Sequence, residues 1–149
     1  MAQSAFRAVQ KNELRRSTRF QIDEAVPLVY KKGLLQALGL GRINEARAAV
    51  NLSEGGLLVR THDRVQIGTK VRVRLEIEKF QDVVEAEGVV RWCFRGAGDG
   101  GHYYAGIRFT QVAAKMAAKI SRLRGYFTSP EYRCRNAARR RRDPLGLGA

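Results

Sequence analysis

Residues 69–80 read TKVRVRLEIEKF, and their alternation decides the fold class. Val71, Val73, Leu75 and Ile77 share one phase, while Arg72, Arg74, Glu76 and Glu78 share the other. Successive side chains of an extended chain point to opposite faces, so this stretch predicts a strand with one buried and one wet face. The same period recurs on its C-terminal side. VVEAEGVVRW (83–92) places Val84, Ala86, Gly88, Val90 and Trp92 inward; HYYAGIRF (102–109) does the same with Tyr103, Ala105, Ile107 and Phe109, leaving Tyr104 on the other face. Shorter strands are predicted at VPLVY (26–30), EARAAV (45–50) and GLLVR (56–60), each bounded by Gly, Asp or Asn turn signals. Six short antiparallel strands imply a barrel or a sandwich, and closure into a small barrel would remove the exposed edges.

Two segments interrupt the pattern. KKGLLQALGLGRIN (31–44) reads as a loop or single helical turn, and RGAGDGG (95–101) as a flexible hairpin loop. After Phe109 the period lengthens. In VAAKMAAKISRLRGYF (112–127), Val112, Met116, Ile120, Leu123 and Phe127 recur every three or four residues, predicting an amphipathic helix that ends near Gly125 to Pro130 and flanks the barrel. Residues 1–14 read as a mobile arm, and the tail EYRCRNAARRRRDPLGLGA as disordered. The predicted division is a flexible arm over 1–19, a barrel with its helix over 20–128, and a disordered basic tail over 129–149.

Of the 149 residues, 44% are apolar and 28% charged, ordinary values for a globular protein, but 28 Lys and Arg against 14 Asp and Glu leave a formal charge of +14. That excess calls for an anionic partner: nucleic acid, an acidic membrane surface, a phosphorylated small molecule or an acidic protein. Cys93 and Cys134 have no metal-ligand spacing and are too few for a disulfide scaffold, so a reducing cytoplasm is expected. No run approaches the roughly 18 apolar residues of a membrane span, and the first twenty residues lack the apolar centre of a signal peptide. His62 and His102 are the only histidines and lie in no nucleophile, Walker or zinc motif, so no enzyme is expected. Trp92, Tyr103 and Phe109 are candidates for the core.

Two polar stretches remain. In LRRSTRF (14–20), Arg15 and Arg19 are four apart with Arg16 between them. Arginine's planar fork matches phosphate oxygens or the O6/N7 edge of guanine and stacks on aromatic faces, so two forks can clamp a nucleotide. In NLSEGG (51–56), Asn51 and Ser53 can organise a turn or donate to a ligand, and Gly55 and Gly56 permit left-handed backbone or close ligand approach. Asn51-Leu52-Ser53 also matches a glycosylation sequon, which no export signal supports.

Taken in order, these stretches resemble the PilZ domain, the bacterial receptor module for cyclic di-GMP (c-di-GMP), whose pattern is RxxxR followed by (D/N)xSxxG. VVRW before a loop and AGIRF at the close of the barrel match the family's habit, and the resemblance covers roughly residues 12–127. It implies a six-stranded antiparallel barrel with a C-terminal helix, with the RxxxR arm wrapping over the ligand. It assigns Arg15 and Arg19 to the guanines and phosphates, Asn51, Ser53 and Gly56, with Gly55 beside them, to one guanine on the barrel, and Arg16 to a further phosphate or stacking contact. Leu14 is apolar and offers no additional cationic plane, so one dinucleotide per site is expected. The resemblance implies no cofactor beyond the ligand, and a downstream protein partner governing motility, surface polymer or biofilm behaviour. The competing readings are non-specific nucleic-acid binding through the Arg-rich tail and a ligand-independent adaptor.

Overall fold

The computed structural model describes residues 18–22, 24–33, 38, 43–98 and 100–142. Leu14, Arg15, Arg16 and the rest of the arm before Thr18 lie outside the described residues, as does most of the 31–44 connection.

Seven antiparallel strands form one curled sheet in the order β1-β3-β4-β7-β6-β5-β2. They are β1 (Phe20–Gln21), β2 (Val26–Lys31), β3 (Ala46–Ser53), β4 (Gly56–Thr61), β5 (Lys70–Ile77), β6 (Asp82–Arg95) and β7 (Tyr103–Gln111). The additional strand relative to the six expected is the two-residue β1, which alternation over two positions cannot reveal. It adds to the free edge of β3, pairing Phe20 with Leu52 and Gln21 with Asn51. At the other edge, the Asn44 side chain draws β2 toward the start of β3. Its Oδ1 accepts from the Val29 and Ala46 amides at 2.8 and 3.1 Å, and its Nδ2 donates to Pro27 O at 3.0 Å.

The alternation in 69–80 is realised directly: Val71, Val73, Leu75 and Ile77 are all buried, and Arg72, Arg74 and Glu78 are exposed. Phe20, Leu52, Leu57, Ile107 and Val90 form one inward row across β1, β3, β4, β7 and β6. Each such side chain contributes about 1.5–3 kcal/mol by leaving water. Tyr103, expected inward, is only half-buried, because it opens β7 beside the 96–101 loop.

Helix α1 (Ala114–Phe127) seats Ile120, Leu123 and Phe127 on this core, and Phe127 stacks on Phe20 with ring centres 6.1 Å apart. Asp82, at the β5–β6 turn, fixes the helix by ion pairs to Lys119 and to Arg122 (2.8 Å). The hydrogen bond from Lys119 chiefly, with the Val83 amide and the charges of Lys119 and Arg122, outweighs burial and holds the Asp82 carboxyl below its ordinary range. A lowered folded-state value means that this stabilisation is complete above the unfolded value near 4 and is lost as pH falls through the folded one. Asp82→Asn is therefore expected to lower stability at neutral pH by about 1–2 kcal/mol. It should also flatten the acid limb of melting temperature against pH below about pH 4.

The expected disorder of 129–149 does not hold at its start. Pro130–Arg142 form helix α2. Thr-Ser-Pro reads as a stop, and α1 does end there, but the same residues start a new helix. Ser129 Oγ accepts from the Tyr132 amide at 3.3 Å, the geometry of an N-cap, and Pro130 takes the first helical position, where its missing N–H costs nothing. Tyr132 is buried, 4.9 Å from the Phe127 ring and 5.3 Å from Tyr126.

Candidate functional site

On the outer face, the row next to the buried one runs Gln21, Asn51, Leu58, Gly106 and Trp92 across the same five strands. Two register shifts create it. Between Ala49 and Asn51 one extra residue interrupts the pairing of β3 with β4, and between Val90 and Trp92 one extra residue interrupts that of β6 with β7. An inserted residue reverses the facing of everything after it. Asn51 thus turns outward while Leu52 enters the core, and Trp92 leaves the inward set in which strict alternation had placed it. Trp92 is half-buried, with its indole lying against Gly106: a Cβ there would come within 2.1 Å of Cε2.

The result is an open groove of ≈ 650 Å³ along the outer face, within the size range of small-ligand sites. Arg19, Asn51, Ser53, Gly55 and Gly56 all border it, so two stretches some thirty residues apart converge on one place. Pairing of β1 with β3 does this for Arg19: Phe20 is inward, which leaves the preceding arginine outward and exposed. Arg15 and Arg16 lie outside the described residues.

Ser53 and Gly56 close the β3–β4 hairpin as a pair, and Ser53 Oγ donates to Gly56 O at 3.4 Å. The glycines are not there for left-handed backbone. Among the described residues, positive φ belongs to Gly68, Gly98, Gly100, Gly101 and Gln81, not to Gly55 or Gly56. Gly56 is instead dictated by close approach of β7, since a Cβ would sit 2.3 Å from Ile107 O. The Gly55 carbonyl accepts from the Phe109 amide at 2.9 Å.

Arg91, Arg108 and Trp92 also border the groove, and sequence reasoning did not select them as site residues. The signal was the outward phase of Arg108 in AGIRF and the position of Arg91 in VVRW, but the second requires knowing of the bulge. Among the described residues, Arg19, Arg91 and Arg108 form no ion pair. Glu54, at the hairpin tip, is drawn to Arg124 at 3.7 Å. The groove thus combines three uncompensated guanidinium groups, an amide, a hydroxyl and an aromatic face, a set suited to a phosphate ligand carrying a flat base.

His62 and His102 stack on each other at 5.7 Å, and no group of three metal-ligating side chains occurs among the described residues. No described helix is long and apolar enough to cross a membrane.

The PilZ domain family model matches residues 13–125, and the chain belongs to that family. Among solved structures it is similar to MotI/DgrA, the inhibitor of motility of Bacillus subtilis, with TM-score 0.57 and 19% identity over 71% of this chain and 47% of that one. It is likewise similar to the PilZ domain of YcgR from Escherichia coli with c-di-GMP (TM-score 0.56, 16% identity, 84% of this chain and 97% of that one). A third likeness is to the MrkH–c-di-GMP complex of K. pneumonia (TM-score 0.55, 16% identity, 73% and 50%). The chain spans about half the length of MotI/DgrA and MrkH. No curated protein matches it.

Proposed function

We propose that this protein is a c-di-GMP receptor that works as a signalling adaptor, without catalysis, in the cytoplasm. The observation that carries the reading is the convergence of Arg19 with Asn51, Ser53, Gly55 and Gly56 on one open, cationic groove. In this reading Asn51 and Ser53 present hydrogen-bonding groups to the edge of one guanine, and the floor near Gly55 and Gly56 lets it approach the backbone. Arg19 closes from the side with Arg15 and Arg16, while Arg91 and Arg108 face the phosphates and Trp92 offers a stacking surface. Binding draws the segment before Arg19 onto the groove, at an entropic cost that several charge-assisted hydrogen bonds must offset. The reordered surface is what a downstream protein reads, in control of motility, surface polymer or biofilm formation.

Calorimetric titration with c-di-GMP at moderate salt, with GTP as control, tests this. Micromolar or tighter binding of one c-di-GMP per chain, with quenching of Trp92 fluorescence, is expected; absence of heat from c-di-GMP overturns the reading, and two ligands per chain overturns the single-dinucleotide site. Arg91→Ala and Arg108→Ala should each weaken binding roughly tenfold or more, the loss of one charge-assisted contact. Unaltered affinity in both would remove them from the site.

A further inference from the structure

We infer that helix α2 is a nucleic-acid-binding surface that grips the phosphate backbone of a duplex without reading its bases. The inference does not rest on the c-di-GMP reading. Its basis is that the basic segment is presented as a capped, docked helix with its charge left over. Tyr132 is buried against Phe127 and Tyr126, and Ser129 caps the first turn. Arg133, Arg135 and Arg139 are exposed, and Arg140, Arg141 and Arg142 follow them in the sequence.

On the strands and on α1 several arginines are matched: Arg72 by Glu87, Arg74 by Glu76 and Glu85, Arg122 by Asp82, and Arg124 by Glu54. Among the described residues, Arg133, Arg135 and Arg139 have no ion pair. The one acidic residue of α2, Glu131, sits in the first turn, where the helix dipole favours it. Unmatched like charges repel one another, and a polyanion relieves that repulsion.

The kind of polyanion follows from what the helix lacks. A helix lying in a membrane surface inserts a wide apolar face. In α2 the bulky apolar side chain, Tyr132, is already committed to the protein interior, and the exposed uncharged residues Cys134, Ala137 and Ala138 are small. What remains is a rod about 20 Å long at 1.5 Å per residue, bearing arginine forks that bind phosphate bidentately. Duplex nucleic acid presents a phosphate charge about every 1.7 Å along its axis and matches that array.

The test is fluorescence anisotropy with labelled 20-base-pair DNA and RNA duplexes, read across a salt series. The full chain is compared with Arg133→Gln/Arg135→Gln/Arg139→Gln, which keeps Tyr132 and the cap, and with the charge-matched control Arg47→Gln/Arg64→Gln/Lys70→Gln. Each phosphate neutralised contributes about 0.9 to the slope of log affinity against log salt, so the α2 variant should lose about 2–3 from that slope and the control much less. The α2 variant should melt and titrate c-di-GMP as the parent does, so failure of either proposal is seen separately. Equal loss in both variants, or no loss in the α2 variant, overturns the assignment. Stronger competition from phosphatidylserine vesicles or polyglutamate than from unlabelled duplex overturns nucleic acid as the partner.

Discussion

Calorimetric titration of Arg15→Ala/Arg19→Ala with c-di-GMP is expected to give no measurable binding, and Arg19→Ala alone to weaken it by roughly 10- to 150-fold. The range is the loss of one charge-assisted interaction of about 1.5–3 kcal/mol. Arg19 combines two properties that make the experiment clean. Its side chain borders the groove and is exposed, while the adjacent Phe20 is buried against Phe127 and pairs with Leu52. The arginine can therefore be truncated without disturbing the anchor of the strand that carries it. Thermal stability without ligand should stay within about 0.5 kcal/mol, as for other surface substitutions. Affinity retained within threefold in the double variant would remove the arginine clamp from the mechanism, whatever else binds.

The second large effect is on stability. Gly56→Ala should destabilise the protein by about 1–3 kcal/mol or more, the cost of overpacking, and so lower its melting temperature by several degrees. The new methyl carbon would stand 2.3 Å from Ile107 O, and a backbone carbonyl cannot turn aside as a side chain can. Relief requires β4 and β7 to part just where Leu57 and Ile107 pair in the core row. Gly125→Ala supplies the opposite sign. Beyond its chain neighbours and the backbone of its own helix, no atom of the described residues lies within 4 Å of its Cβ position, the residue is inside α1, and its φ is not positive, so alanine should stabilise by about 0.5–1 kcal/mol. Melting both variants without ligand decides the matter. If Gly56→Ala melts like the parent and loses only ligand binding, the glycine serves the ligand and the packing argument fails.

Much of this architecture was legible because it is local. Alternation in TKVRVRLEIEKF reports a half-buried strand wherever its neighbours lie, since side chains of an extended chain must point to opposite faces. The change of period after Phe109 likewise announced α1. Arg19, Asn51, Ser53, Gly55 and Gly56 were picked out by spacing and chemistry, and they do border one groove. Residue chemistry left the partner's class open, and the family narrowed it.

The misreadings share one cause, which is dependence on another part of the chain. Strict alternation put Trp92 in the core, and the bulge after Val90, a property of β6 measured against β7, turned it out. The lengthened period ends near Gly125 to Pro130 and predicts disorder beyond, although Ser129-Pro130 is equally a cap and first turn. Which role prevailed downstream depended on Tyr132 finding Phe127 and Tyr126 to pack against. Gly56 suggested left-handed backbone or close ligand approach; the first does not hold, and the constraint in the fold is the carbonyl of a strand some fifty residues away.

The order and period of the residues were thus enough to specify six of the seven strands, the first helix and, among the groove's polar residues, Arg19, Asn51 and Ser53, because each follows from a side chain's relation to its immediate neighbours. The pairing of distant strands settled which face Asn51 and Trp92 occupy, brought Arg91 and Arg108 beside Arg19, and placed the second helix on Phe127. The reason is physical: a bulge, a close approach and a buried ring are relations between two segments, and a linear reading holds one segment at a time.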